Sequence, residues 1–351
     1  MIPVQRDLVQ AREVLQRWME IAYPAGQSLR VGDLQGFPQG FSAELLTFDL
    51  TYEKDGAERT EGMVVRIEPN EKYQLFLDTN FEEQYRVMEA LGRHTATPVP
   101  RTVGFESNRE FLGARFYVME KACGETGQIG LEWVSAIGEE GREMLWWNGL
   151  AAMAEMHRAD PERLRLDFLE QPERGSDPID QQLHYYWEYY NWVRGGESYP
   201  IIEVALEWLQ RSKPLVLPPK GIVWGDARRG NQLFTSDFAC SAILDFEQVC
   251  LGPAEVDLAW WLEGEHQTSE WMGMSAPTVE ETTSRYAKLL GREIADIGYY
   301  MVFASLRLAV LRIKLSILRE GQPDRAEPDA GIPRLANVLA RYAGIEARID
   351  R

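Results

Sequence analysis

Val223-Trp224-Gly225-Asp226-Ala227-Arg228-Arg229-Gly230-Asn231-Gln232-Leu233-Phe234, followed by Ala242-Ile243-Leu244-Asp245-Phe246-Glu247, is the stretch from which the rest of the chain is read. Its polar groups are a carboxylate at Asp226, an amide at Asn231 and a second carboxylate at Asp245. Apolar Ile222 to Trp224 predicts a strand leading into Gly225-Asp226. Gln232 to Phe234 and Ala242 to Leu244, joined by Thr235-Ser236-Asp237, predict a hairpin that returns Asp245 to the same edge. Such a grouping is the minimum equipment for magnesium-dependent phosphoryl transfer: Asp226 to accept the proton of an attacking hydroxyl, Asn231 and Asp245 to hold metal. A bare Asp-x-x-x-x-Asn spacing is common, and it is the strand, loop and hairpin around it that give it weight. The plainer alternative makes Asp226 a loop cap and Asp245 a strand terminator.

Outward from this stretch, two textures appear. Upstream, Val4 to Ala22 has helical spacing. Leu45 to Tyr52 and Gly62 to Ile67 read as strands joined by a Lys54-Asp55-Gly56 turn, Glu82 to Leu91 as a helix, and Val103 to Phe105 and Ala114 to Met119 as strands. Beyond Gly124 the pattern turns helical: Met144 to Arg158, Gln181 to Trp192, Ile201 to Gln210, Glu255 to Leu262, Tyr299 to Arg319 and Arg334 to Ile349. A loop with Pro323, Pro328 and Pro333 separates the last two, and Thr278-Val279-Glu280-Glu281 has the form of a capping box. The outline is an α+β, protein-kinase-like bilobal fold. A small β-rich N-lobe, residues 1–121 with the opening helix, binds nucleotide; a large, mainly helical C-lobe, residues 122–351, carries the catalytic loop and acceptor site. The hinge falls near Met119 to Gly124, with Met119 and Glu120 as nucleotide contacts.

Composition bounds the function. A chain of 351 residues with 11 Trp, 14 Tyr and 13 Phe exceeds one ordinary core. A formal charge of -18 argues against non-specific binding to nucleic acid or anionic membrane. Arg6, Asp7, Arg12 and Glu13 interrupt any secretion signal, and Arg307, Arg312 and Lys314 make Met301 to Leu318 an amphipathic or buried helix rather than a membrane span. Three cysteines without metal-ligand spacing fit a reducing, cytoplasmic compartment.

Gly225-Asp226 with Asn231, then Leu244-Asp245-Phe246-Glu247, resembles the signature of the aminoglycoside phosphotransferase and choline kinase superfamily. Trp224 to Arg228, with Leu251-Gly252-Pro253 and Glu255-Val256-Asp257-Leu258-Ala259, is similar to the branch related to the kinase-like domain fused to some acyl-CoA dehydrogenases. The resemblance runs from about Leu34 to the C-terminal helices. It implies ATP and Mg²⁺ as cofactors and phosphorylation of a hydroxyl on a small molecule, either a hydroxyacyl compound or an amino sugar or amino alcohol. By the same resemblance Asp226 is the catalytic base, Asn231 and Asp245 are metal ligands, and Arg228 is a cation near the transferred phosphate. Asp257 supports the catalytic loop, and His157 is a structural histidine.

Several positions depart from the wider pattern. Trp224 stands where a His is usual, which removes a polar support and leaves packing to hold the loop. Arg66 stands where most kinases place Lys; an arginine still grips phosphates by its fork, and its plainer reading is an edge-strand surface residue. Its helix partner is open among Gln84, Glu83 and Glu82. Leu34 to Ser42 is no Walker loop, yet Gly40 and Ser42 could cradle phosphates. Arg229 reads as a solvated loop arginine. Trp146-Trp147, Tyr185 to Trp187 and Tyr189-Tyr190 are core or the lining of an acceptor pocket. The competing function is a nucleotide-binding pseudokinase without turnover; no Gly-x-Ser-x-Gly elbow supports a hydrolase.

Overall fold

The computed structural model describes residues 5–23, 27–36, 43–320 and 328–346. The chain divides into two compact units, Met1–Arg93 with Val99–Cys123, and His94–Pro98 with Gly124–Arg351.

In the first unit, helix α1 (Leu8–Ala22) starts where the Asp7 carboxylate accepts the N–H groups of Val9 and Gln10, and it buries Leu15, Trp18 and Met19. Strands β1 (Gln27–Val31), β2 (Gln35–Gly36), β3 (Glu44–Lys54), β4 (Ala57–Ile67), β5 (Thr102–Glu106) and β6 (Phe116–Glu120) form one antiparallel sheet, ordered β1-β3-β4-β6-β5 with β2 beside β3. The β3–β4 hairpin turns at Asp55 and Gly56, both at positive φ (54° and 73°), as a two-residue loop with the strands' twist requires. Alternate β3 residues Leu46, Phe48, Leu50 and Tyr52 join Met63, Val65, Ile67 and the α1 stripe in one core. Helix α2 (Phe81–His94) sets Phe81 5.3 Å from the Tyr117 ring of β6.

The second unit is mainly helical: α3 (Glu132–Ala136), α4 (Gly138–His157), α5 (Pro178–Val193), α6 (Pro200–Arg211), α7 (Glu255–Trp271), α8 (Val279–Leu290), α9 (Ile297–Glu320) and α10 (Pro328–Ala343). Thr278 and Glu281 make both bonds of the predicted capping box at the start of α8. The hairpin of β9 (Gln232–Phe234) and β10 (Cys240–Ile243) is as the sequence predicts, but it is not alone. Strand β7 (Glu125–Thr126) adds to β9, and β8 (Gly221–Val223) pairs with β11 (Cys250–Gly252). Strand β8 is the one predicted ahead of Gly225-Asp226, whereas β7 and β11, of two and three residues, are too short for an alternating pattern to show in the sequence.

The C-terminal helix is also corrected. Pro328 and Pro333 belong to α10, which runs to Ala343 rather than from Arg334 to Ile349. Proline is compatible with a helix start, where its missing N–H has no intrahelical acceptor, so Pro328 opens this helix instead of stopping it. Among the described residues no helix is long and apolar enough to cross a membrane.

Candidate active site

The loop after β8 is pinned from below by Asp257, which is fully buried in the first turn of α7. The backbone N–H groups of Trp224 and Gly225 donate to its two carboxylate oxygens at 2.6 and 2.8 Å. Its Oδ2 also lies 2.9 Å from His157 Nε2, at the end of α4, and Tyr286 Oη lies 2.6 Å from His157 Nδ1. A carboxylate only accepts, so Nε2 carries the proton and Nδ1 accepts from the tyrosine. Gly225 has φ 93°, and a Cβ there would stand 2.3 Å from the Gln248 carbonyl oxygen, so this corner admits only glycine.

The corner delivers Asp226 into a nest of donors. Its Oδ2 accepts from Arg228 Nε at 3.0 Å and Asn231 Nδ2 at 2.6 Å, and its Oδ1 accepts from Trp260 Nε1 at 3.0 Å. Burial alone would raise its pKa. The Arg228 charge, then the hydrogen bonds from Arg228, Asn231 and Trp260, outweigh that and hold it below the usual carboxylate value. Arg228 itself is half-exposed, with a guanidinium held charged first by Asp226 and further by Asp245 and Glu265.

Asn231 and Asp245 come together through the backbone: Leu244 N–H donates to the Asn231 carbonyl at 2.9 Å. Asp245 sits at φ 64°, a left-handed conformation that aspartate tolerates better than most residues and that recurs at functional sites. Since Asn231 turns its amide nitrogen to Asp226, its amide oxygen is the end left for a cation. One amide oxygen and one carboxylate suit Mg²⁺, which takes few protein ligands and completes its shell with water and phosphate. The described residues hold no cluster of three or more His, Cys, Asp or Glu of the kind a zinc site would use.

Two expectations are overturned here. Trp224 does not leave the loop to packing alone: its indole Nε1–H donates to the carbonyls of Leu244 and Asp245 at 2.8 and 3.1 Å, a polar tie between the two halves of the site. Arg229 is no solvated loop residue. Its guanidinium is 3% exposed, pairs with Glu265 Oε2 at 2.6 Å and lies 5.3 Å from the Trp146 ring centroid.

Within the first unit, Arg66 lies on β4 between β3 and β6, not at a sheet edge, and is 7% exposed. Tyr117, its cross-strand neighbour, donates to Gln84 Oε1 at 3.3 Å, so Gln84 faces the same side while Glu82 is exposed. Met119 and Glu120 close β6; the Glu120 carboxylate pairs with Arg101 and its N–H donates to the Arg101 carbonyl. Gly40 and Ser42 lie outside the described residues. A pocket of about 230 Å³ in the second unit is lined by Trp146, Trp147, Arg142, Ser269 and Arg229 among others. It reaches the loop after β8 through Arg229, and Asp226 is not part of its wall.

The model of the phosphotransferase enzyme family matches residues 33–293. The chain belongs to this family. Its solved relatives share the fold over nearly their whole length. A "putative aminoglycoside phosphotransferase" from Ralstonia eutropha JMP134 superposes with TM-score 0.68 at 22% identity, covering 95% of this chain and 98% of that one. A macrolide 2'-phosphotransferase from Brachybacterium faecium gives TM-score 0.56 at 16% identity, with 96% and 100% covered. Among curated proteins, the "Probable acyl-CoA dehydrogenase IBR3" of Arabidopsis thaliana is 24% identical over 250 residues, 65% of this chain. That match spans 30% of the plant protein's length. The protein-kinase-like α+β architecture expected from the sequence is thus the family's own.

For this member of the phosphotransferase enzyme family, sequence reasoning missed Trp260 and Glu265 at the loop after β8. A signal was present for Trp260: it follows Asp257 by three residues, so on a helix both side chains face the same loop.

Proposed function

We propose that this chain is an ATP- and Mg²⁺-dependent kinase of a small-molecule hydroxyl. The observation that carries the reading is the ionised Asp226 carboxylate, oriented by Asn231, Arg228 and Trp260, with Asp245 returned beside Asn231. Asp226 takes the hydroxyl proton as the acceptor oxygen attacks, and Arg228 offsets charge that develops on the transferred phosphoryl. Mg²⁺ held by Asn231 and Asp245 would neutralise the phosphates. The first unit supplies the nucleotide grip, with Arg66, Met119 and Glu120 and the Gly40 to Ser42 segment, and the second supplies the acceptor site. A solved relative crystallised with AMP-PNP and hygromycin B supports ATP use and a hydroxylated acceptor. The plant relative's name points to acyl compounds instead.

The test is incubation with Mg-ATP and a library of hydroxyacyl compounds, amino sugars and amino alcohols, followed by mass spectrometry for phosphate gain on the acceptor. Transfer that disappears in Asp226→Asn supports the reading. Nucleotide binding with no transfer to any acceptor or to water makes the chain a pseudokinase instead.

A further inference from the structure

Arg307, in the middle of α9, is 2% exposed. Among the described residues no carboxylate pairs with it. Its Nε donates to Tyr186 Oη at 2.9 Å, and its Nη2 donates to the Gly225 carbonyl at 2.5 Å and to Gln248 Oε1 at 3.3 Å. The guanidinium lies 4.4 Å from the centroid of the Trp260 ring, the same indole whose N–H holds Asp226 Oδ1. Burying a cation without a carboxylate partner is costly, and an apolar side chain of similar size would fill this space more cheaply. The arrangement therefore calls for a role beyond packing.

The geometry points to a positioning pair, Trp260 and Arg307, that sets the rotation of the Asp226 carboxylate; the inference rests on Asp226 being the catalytic base. Arg228 and Asn231 both hold Oδ2, so without a donor on Oδ1 the carboxylate would pivot about that end. The indole N–H supplies that second point. The indole is held in turn by the cation on its face, which also draws electron density from the ring and strengthens the N–H as a donor. Through the Gly225 carbonyl the same guanidinium fixes the backbone immediately before Asp226, so carboxylate and backbone are set by one side chain from α9.

Trp260→Phe keeps an aromatic face and removes the N–H; Arg307→Met keeps the length and removes the fork. Each should lower kcat about tenfold, the worth of one hydrogen bond to a charged group, with KM for Mg-ATP unchanged. The double variant should be no slower than the slower single, because both act on one carboxylate. Arg307→Lys, which retains charge and one donor, should recover part of the loss. A Trp260→Phe enzyme as fast as wild type, or a double variant whose loss is the product of the singles, overturns the pairing. Hydrogen exchange reads the same device without turnover: amides of Asp226 to Asn231 should exchange about tenfold faster in either variant while those of α4 stay protected. Equal loop exchange in variant and wild type overturns the inference. A wild-type protein that transfers no phosphate sinks the kinase reading instead, and the exchange measurement still decides this one.

Discussion

The indole N–H of Trp224 reaches the main-chain oxygen of Asp245 at 3.1 Å. The loop that bears the candidate base and the turn that bears the candidate metal ligand are therefore tied by one side chain, which sits at the base of the site and is fully buried. Trp224→Phe keeps an aromatic ring but loses that tie and part of the buried volume, lowering stability by about 2–4 kcal/mol and weakening Mg²⁺-dependent nucleotide binding. Thermal melts with and without Mg-ATP check both; an unchanged melting temperature contradicts the role.

Asp226→Asn keeps the shape of the side chain but removes its basicity. Transfer should fall at least about 10²-fold while nucleotide affinity measured by calorimetry stays close to wild type. Equal rates for the two proteins would show that another group takes the proton.

The adjacent arginines should behave in opposite ways. Arg228→Ala removes a half-exposed side chain beside the candidate base, and should slow transfer by about 10²-fold or more with stability lowered by only about 1 kcal/mol. Arg229→Ala strands a buried Glu265 carboxylate and should destabilise by about 3–5 kcal/mol. Denaturant melts and rates on the same preparations separate the two, and a stable Arg229→Ala protein would refute the ion-pair account.

Asp245→Asn preserves a residue type that tolerates φ 64° while removing the charge. Mg²⁺-dependent nucleotide affinity should drop about tenfold or more with the melting temperature of the free protein little changed. Chelating Mg²⁺ from the wild type should reproduce the loss; Mg-ATP affinity equal in wild type and variant would remove Asp245 from the metal site.

The cysteines offer a probe of packing. Burial pushes the Cys240 and Cys250 thiols up to about 12, leaving almost no thiolate at neutral pH, whereas Cys123 is exposed. A thiol reagent at neutral pH should label Cys123 first, the half-buried Cys240 more slowly, and the buried Cys250 only on unfolding. Rapid labelling of Cys250 in the folded protein would contradict the packing of β8 on β11.

What the sequence by itself determined were features written in consecutive residues. The Asp226, Asn231 and Asp245 spacing, the Asp55-Gly56 turn, the Thr278 capping box and the apolar periodicity of the long helices each follow from local geometry. Where the local signal was short or ambiguous the reading slipped, as with the brief strands β7 and β11 and the prolines of α10. Only the tertiary structure decided what each polar side chain does. Arg228 and Arg229 are neighbours of one residue type, yet one stays half-exposed beside Asp226 and the other is buried on Glu265, 36 residues away. Asp226 takes Trp260 from α7, Gly225 takes Arg307 from α9, and Asp257 takes His157 from α4. A hydrogen bond depends on position to within a few tenths of an ångström, and the packing of separate helices around one loop sets those positions, which no spacing along the chain encodes.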